Sequence, residues 1–173
     1  YKNLWVPLFR VPAGVVMAIV LVIALFGQLA GGKHSLEENL RLVATGGKNE
    51  REHALIALTI QHEENRVAAQ AGRDLPWPMT PEVERALVEV LDDLDEDDFA
   101  TRVVLGSMLA ELGHERAADV LIPMLALTES QDPDHTRRYQ AIQGLGLLGD
   151  AQATAAVLPF LEHEDLQLRA VTA

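Results

Sequence analysis

The chain has 173 residues, a formal net charge of −12 and no cysteine. An acidic excess of that size argues against nucleic acid as a partner, because binding phosphates requires a surplus of lysine and arginine. Without cysteine there is no disulfide, thiolate nucleophile or zinc–thiolate site, and the redox compartment stays open.

Residues 1–10 read as a juxtamembrane segment. From Val11 to Gly32, VPAGVVMAIVLVIALFGQLAGG, no side chain ionises. At about 1.5 Å per residue, residues 11–30 make a helix about 30 Å long, the thickness of a bilayer's hydrocarbon core, so one transmembrane helix is expected there. Lys2 and Arg10 precede it, Lys33 follows it, and Trp5 stands where an interfacial aromatic would anchor it. A cleaved secretory signal is the competing reading, and the length of the run argues against it. Gly27-x-x-x-Gly31 has the spacing by which membrane helices approach closely, although chance explains it equally well. Lys2 and Arg10 on one side stand against Lys33, Arg41 and Lys48 on the other, a count that does not set the orientation; read as an uncleaved signal anchor, the run puts the amino terminus inside and the remainder outside. The expected location is therefore a membrane, with the rest of the chain on its outer side. All the acid lies after residue 30, so that part should stand off anionic headgroups; its charge serves solubility or a basic protein partner.

After the anchor, apolar residues recur at steps of three and four, the period of amphipathic helices. Ser35 and Glu38 have the spacing of a capping box ahead of a helix over 36–44, and Gly46-Gly47 is a turn before a helix over 49–62. A longer connection over 64–79 contains LPWPM. Thr80 caps and Pro81 opens a helix reaching Leu94. The acidic turn LDDLDEDD leads into a helix over 99–112. Further helices are expected over 115–127, 135–148 and 151–162, and another begins at Asp165.

These elements repeat. Arg102-x-x-Leu-Gly-x-x-Leu-Ala-x-x-Gly113 returns as Arg138-x-x-Ala-Ile-x-x-Leu-Gly-x-x-Gly149, Arg51-x-x-Ala-Leu-x-x-Leu58 opens the same pattern, and Pro123 returns as Pro159. A unit of two helices with a period in the mid-thirties of residues is the mark of an α-solenoid. The run VLPFL, an acidic turn and R-x-x-A-I-x-x-L-G-x-L-G-D resembles HEAT repeats, in particular the short bacterial HEAT-like type named after phycobilisome lyases. The resemblance implies an all-α, armadillo-like solenoid over 35–173, with about four helix pairs and the last one truncated at Ala173. The natural chain is expected to continue past that point. It also implies a protein-binding scaffold, the main use of the family. GGKNEREHALIAL (46–58) resembles the first repeat of anchored bacterial HEAT-like proteins associated with transporter systems.

Asp98 and Arg102, Asp134 and Arg138, and Asp165 and Arg169 recur at one spacing, each pair at the start of a second helix. The pattern resembles the aspartate and arginine ladder of HEAT repeats. An acid suits a helix N-terminus, and an arginine can bond its own turn and the neighbouring repeat. In the first pair Gly47 replaces the acid, so that repeat joins only through Arg51 or not at all. Asp93, Asp95 and Asp97 alternate as in a calcium loop, but the glycine and glutamate that such a loop needs are Asp98 and Val104 here, so a solvated turn is the better reading. The six histidines show no metal-ligand spacing, and Ser35, Ser107 and Ser130 have no nucleophile-elbow context. Lyase chemistry has no residue to support it.

No catalytic residue, cofactor or metal is therefore expected. The candidate contacts are Trp77 and Met79, at the edge facing the membrane or a membrane partner, with Trp77 covering the solenoid's own first groove as the equal alternative, and an acidic ridge of Asp92, Asp93, Asp95, Glu96 and Asp97 for a basic partner. The expected function is a single-pass scaffold or accessory subunit that binds an integral membrane protein, such as a transporter complex. The alternative is a tether and spacer for an enzyme or ligand-binding domain beyond residue 173.

Overall fold

Eight α-helices and two 3-10 helices, with no strand, make up residues 34–173, the part of the chain described by the computed structural model. The expected juxtamembrane segment 1–10 and membrane helix 11–30 lie outside the described residues. Among the described helices, none is long and apolar enough to cross a membrane.

Helix α1 (Leu36–Thr45) pairs with α2 (Lys48–Gln70), and α3 (Pro81–Asp93) with α4 (Phe99–Glu111). In the third unit α5 (Arg116–Leu121) tightens into a 3-10 helix, Ile122–Ala126, ahead of α6 (Thr136–Leu148). The fourth repeats this plan with α7 (Ala151–Val157), a 3-10 helix at Leu158–Glu162, and α8 (Leu166–Thr172). Pro123 and Pro159, in the first turns of the two 3-10 helices, explain the tightening. Proline has no N–H to donate, and its ring obstructs the carbonyl four residues back.

The helix starts follow local chemistry. The side chains of Ser35, Thr80, Asp98, Asp150 and Asp165 each accept a backbone N–H in the first turn of the adjoining helix. Gly149 closes α6 at a φ of +62°, a left-handed turn that only glycine adopts without penalty.

Helix α2 departs from expectation by running past His62 to Gln70, which confines the connection to residues 71–80. Its buried stripe includes the polar residues Gln61 and Asn65, so the apolar period breaks while the helix continues. Both are satisfied from outside the helix. Asn39 Nδ2 on α1 donates to Gln61 Oε1 at 3.0 Å, and Asn65 bonds the backbone of Trp77.

Helix α1 packs on α3, while α2 packs on α4, α4 on α6 and α6 on α8, so the second helices form one continuous layer. Helix α4 is the most enclosed, with every residue from Val103 to Ala110 buried. Leu40, Leu58, Leu87, Leu105, Leu121, Leu145 and Leu168 run through the core, all essentially without solvent exposure. Burying each such side chain contributes about 1.5–3 kcal/mol.

Two glycines let α5 approach this layer. A Cβ at Gly106 on α4 would come within 2.9 Å of Val120 Cγ1, and one at Gly144 on α6 within 2.7 Å of Leu121 Cδ1. Gly146, two residues on, faces open space within the same helix. Gly146→Ala should therefore raise stability by about 0.5–1 kcal/mol through the lower backbone entropy of alanine. A thermal melt checks this, and a lower midpoint would refute it.

Candidate functional site

A groove runs along the layer of second helices, with α4 as its floor and α2 and α6 as its walls. It widens into two hollows. The upper, about 510 Å³, lies over Ala100, Val103 and Val104 between Leu55, Ile56 and Thr59 of α2 and Thr136, Arg137 and Gln140 of α6. The lower, about 600 Å³, lies over Ala110, Glu111 and Leu112 between Asn65, Arg66 and Ala69 of α2 and Gln143, Gly146 and Leu147 of α6. On each helix the two sets lie at helical steps along one face, so the two hollows are aligned along the layer. At about 1.5 Å per residue the floor is about 18 Å long, close to three turns of an α-helix.

Apolar side chains stand exposed among the groove's polar ones: Ile56 is 57% exposed on α2 and Leu147 56% on α6, beside Thr59, Gln140 and Gln143. The groove's two arginines are already engaged. Arg66 holds Glu63 through bonds of 2.8 and 2.6 Å, which pull that carboxyl below its ordinary pKa, and Arg137 Nη1 donates to the Gln131 carbonyl at 2.6 Å. Glu111 lines the lower hollow, with His62 Nδ1 3.3 Å from its carboxylate. Asp134 lines the upper hollow, and the Thr136 N–H keeps its carboxyl below the ordinary value.

The connection after α2 closes the lower end. Leu75 and Met79 line the lower hollow. Trp77 is half-buried and clamped: Asn65 Nδ2 donates to its carbonyl at 2.7 Å, its N–H donates to Asn65 Oδ1 at 3.0 Å, and its indole N–H donates to Glu64 at 2.5 Å. Trp77 thus covers the solenoid's own flank, and Met79 faces the groove.

The aspartates and arginines singled out by spacing take different partners. Asp98 caps α4 and accepts Arg51 Nη2 of the preceding repeat at 3.4 Å. Among the described residues, no hydrogen bond or ion pair joins Arg102 to another side chain. Arg138 bonds Asp132 instead of Asp134: Asp132 is fully buried and accepts the backbone N–H groups of Arg137 and Arg138 at 3.0 Å each, with Arg138 Nε 3.4 Å away. Asp134 turns to the Thr136 N–H at 3.2 Å. Asp165 caps α8 and meets His135, while Arg169 donates to the carbonyls of His163 and Glu164 in its own turn. Of the singled-out aspartates, Asp98 and Asp165 therefore reach another repeat, through Arg51 and His135, and Arg116 to Asp92 is a further bond between repeats.

Spacing missed Asp132 because α6 starts two residues after Asp134, behind His135 in the left-handed conformation at φ +57°. That turn places the carboxylate six residues before Arg138 beneath the helix. The Asp-Pro-Asp run was the available signal, since an aspartate ahead of a proline turn often hydrogen-bonds the backbone just beyond it. On the acidic ridge Asp92, Asp93, Asp95, Glu96 and Asp97 are all exposed, and Asp92 is engaged by Arg116 at 2.6 Å.

Residues 137–163 match the family model described as PBS lyase HEAT-like repeat. That segment holds most of α6, α7 and the second 3-10 helix, so at least this unit is similar to a HEAT-like repeat, a helical fold that typically serves as a scaffold. No curated protein and no solved structure matches the chain. Among the described residues, no cluster of histidines and carboxylates has the arrangement of a metal site.

Proposed function

We propose that this protein is a docking scaffold whose groove over α4 binds a helical segment of a partner, with apolar side chains on one face and basic ones beside them. The observation that carries this reading is the pair of aligned hollows over α4, together about three helical turns long, with exposed Ile56 and Leu147 on their walls. Exposed apolar residues gathered along one channel mark interaction surfaces, and an amphipathic helix laid in a groove is a common way to cover them. Charge supports the basic flank: the groove's arginines are occupied, Glu111 beside His62 and Asp134 beside Thr136 place carboxylates at its ends, and the chain carries −12 overall.

The apolar run 11–30 supports a location at a membrane, where the partner is an integral protein such as a transporter and this chain is its accessory subunit. As an uncleaved signal anchor, that run would leave the solenoid on the periplasmic side of a bacterium's inner membrane. The reading assigns a binding role and no catalytic one.

A photo-crosslinking residue at Ile56 or Leu147 should trap one membrane protein in stoichiometric amount, while the same residue at Glu89, exposed on α3 in the other layer, should not. Equal trapping from Glu89, or a monodisperse partner-free protein at native abundance in gentle detergent, would overturn the proposal.

A further inference from the structure

Where the third repeat meets the fourth, one imidazole stands between two carboxylates. His135 Nδ1 lies 2.8 Å from Asp165 Oδ2, and Nε2 lies 3.1 Å from Glu129 Oε1. Glu129 and His135 belong to the turn before α6, whereas Asp165 caps α8 by accepting the N–H groups of Gln167 and Leu168. The ring therefore joins two repeats. A neutral imidazole has one N–H and one lone pair, so it must turn the lone pair toward one of these carboxylates; the imidazolium donates to both. The ring is 21% exposed and Asp165 27%, whereas Glu129 is 76% exposed, so the bond to Asp165 is the better shielded of the two.

We propose that His135 is a pH-sensitive clasp between the third and fourth repeats: protonated, it ties Glu129 to Asp165 and holds α8 against α6, and on losing its proton it releases that link. Val171 of α8 lines the lower hollow, so the clasp also sets the width of that end of the groove. The clasp does not depend on what the groove binds.

The surrounding charges set the direction. Asp165 and then Glu129 raise the pKa of His135 above its ordinary 6.5, against the smaller opposing effects of burial and of Arg138, whose Nη2 is 3.4 Å from Glu129. Asp132 faces Arg138, Asp134 turns to Thr136, and Arg169 turns to carbonyls of its own loop. Asp165 and Glu129 are both held below their ordinary values, chiefly by His135. A raised histidine contributes its full stabilisation below 6.5 and loses it as pH rises through the raised value. The lowered carboxyls contribute fully above their ordinary 3.8 and 4.5 and lose it as pH falls through their lowered values. The clasp is thus closed between about 4.5 and 6.5 and opens on the alkaline side.

His163 is the second titratable ring at this joint, edge-on to His135 with centroids 6.2 Å apart and stacked on Phe160. Its Nδ1 accepts the Asp165 N–H at 3.1 Å.

The test is amide hydrogen exchange in the full chain, read by mass spectrometry over peptides spanning 158–172 and corrected for the intrinsic pH dependence of exchange. Between about pH 6 and pH 8.5, protection should fall by about threefold or more, with a midpoint matching the ring titration of His135 by NMR. In His135→Gln the transition should vanish, in Asp165→Asn its midpoint should move down, and in His163→Gln it should persist. If His135→Gln fails to fold, Glu129→Gln supplies the same readout through a lowered midpoint. A flat profile in the unmodified chain, or a transition that survives His135→Gln and disappears with His163→Gln, would overturn the clasp.

Discussion

Asp132→Ala is expected to cost about 3–5 kcal/mol of folding stability, the range for removing one partner of a buried, hydrogen-bonded charge pair. The carboxylate is fully enclosed and serves three donors: the backbone N–H groups of Arg137 and Arg138 and the guanidinium of Arg138, itself only 9% exposed at the side chain. Alanine leaves all three without their acceptor beneath the first turn of α6, where solvent does not reach Asp132. Asp132→Asn should lose less, because its carbonyl oxygen still accepts one backbone N–H. Asp134→Ala should lose far less again, since that side chain is exposed and accepts only from Thr136. Urea titrations of the three variants check the order. Equal losses for Asp132→Ala and Asp134→Ala would show that the buried carboxylate does not hold this turn.

Leu121→Ala is expected to destabilise by a comparable amount, about 3–5 kcal/mol, because Leu121 fills a space whose walls are glycines and cannot easily collapse. Leu121 is fully buried, against Gly106 on one helix and Gly144 on the next. Gly144→Ala alone should cost about 1–2 kcal/mol: overpacking against Leu121 Cδ1 costs about 1–3 kcal/mol, and the better helix propensity of alanine returns up to about 1 kcal/mol. In the Leu121→Ala background the added methyl meets a void, so Gly144→Ala should turn neutral or stabilising. That change of sign is a coupling of at least about 1 kcal/mol, within the range expected for residues in contact. Strictly additive effects in a double-mutant cycle would refute the wedge.

The contrast between Gly144 and Gly146 marks where sequence reading stops. Both glycines lie in the repeated arginine-to-glycine pattern, two residues apart on α6, yet one is pressed by Leu121 from another helix and the other meets nothing. Asp134 and Asp132 make the same point. The repeated spacing selected Asp134, and a single left-handed residue at His135 gave the buried position to Asp132. Trp77 was readable as an edge residue, but its clamping by Asn65 depended on α2 continuing for two more turns through a stripe of buried polar residues.

Helical class, a two-helix unit repeating in the mid-thirties of residues, the caps at Ser35 and Thr80 and the closing glycines were legible in the amino-acid order because each depends on residues within a few positions of one another. The recurrence of Pro123 as Pro159 likewise carried its tightened helical end with it, since proline acts on its own turn. Only the tertiary structure decided which apolar residues stay uncovered, which acid is buried and which histidine joins two repeats. Ile56 and Leu58 are both apolar residues on α2, and their opposite exposures arise from where α4 and α1 lie against that helix. Periodicity can mark a face, but whether that face becomes core or groove depends on helices contributed by other repeats, tens of residues away along the chain.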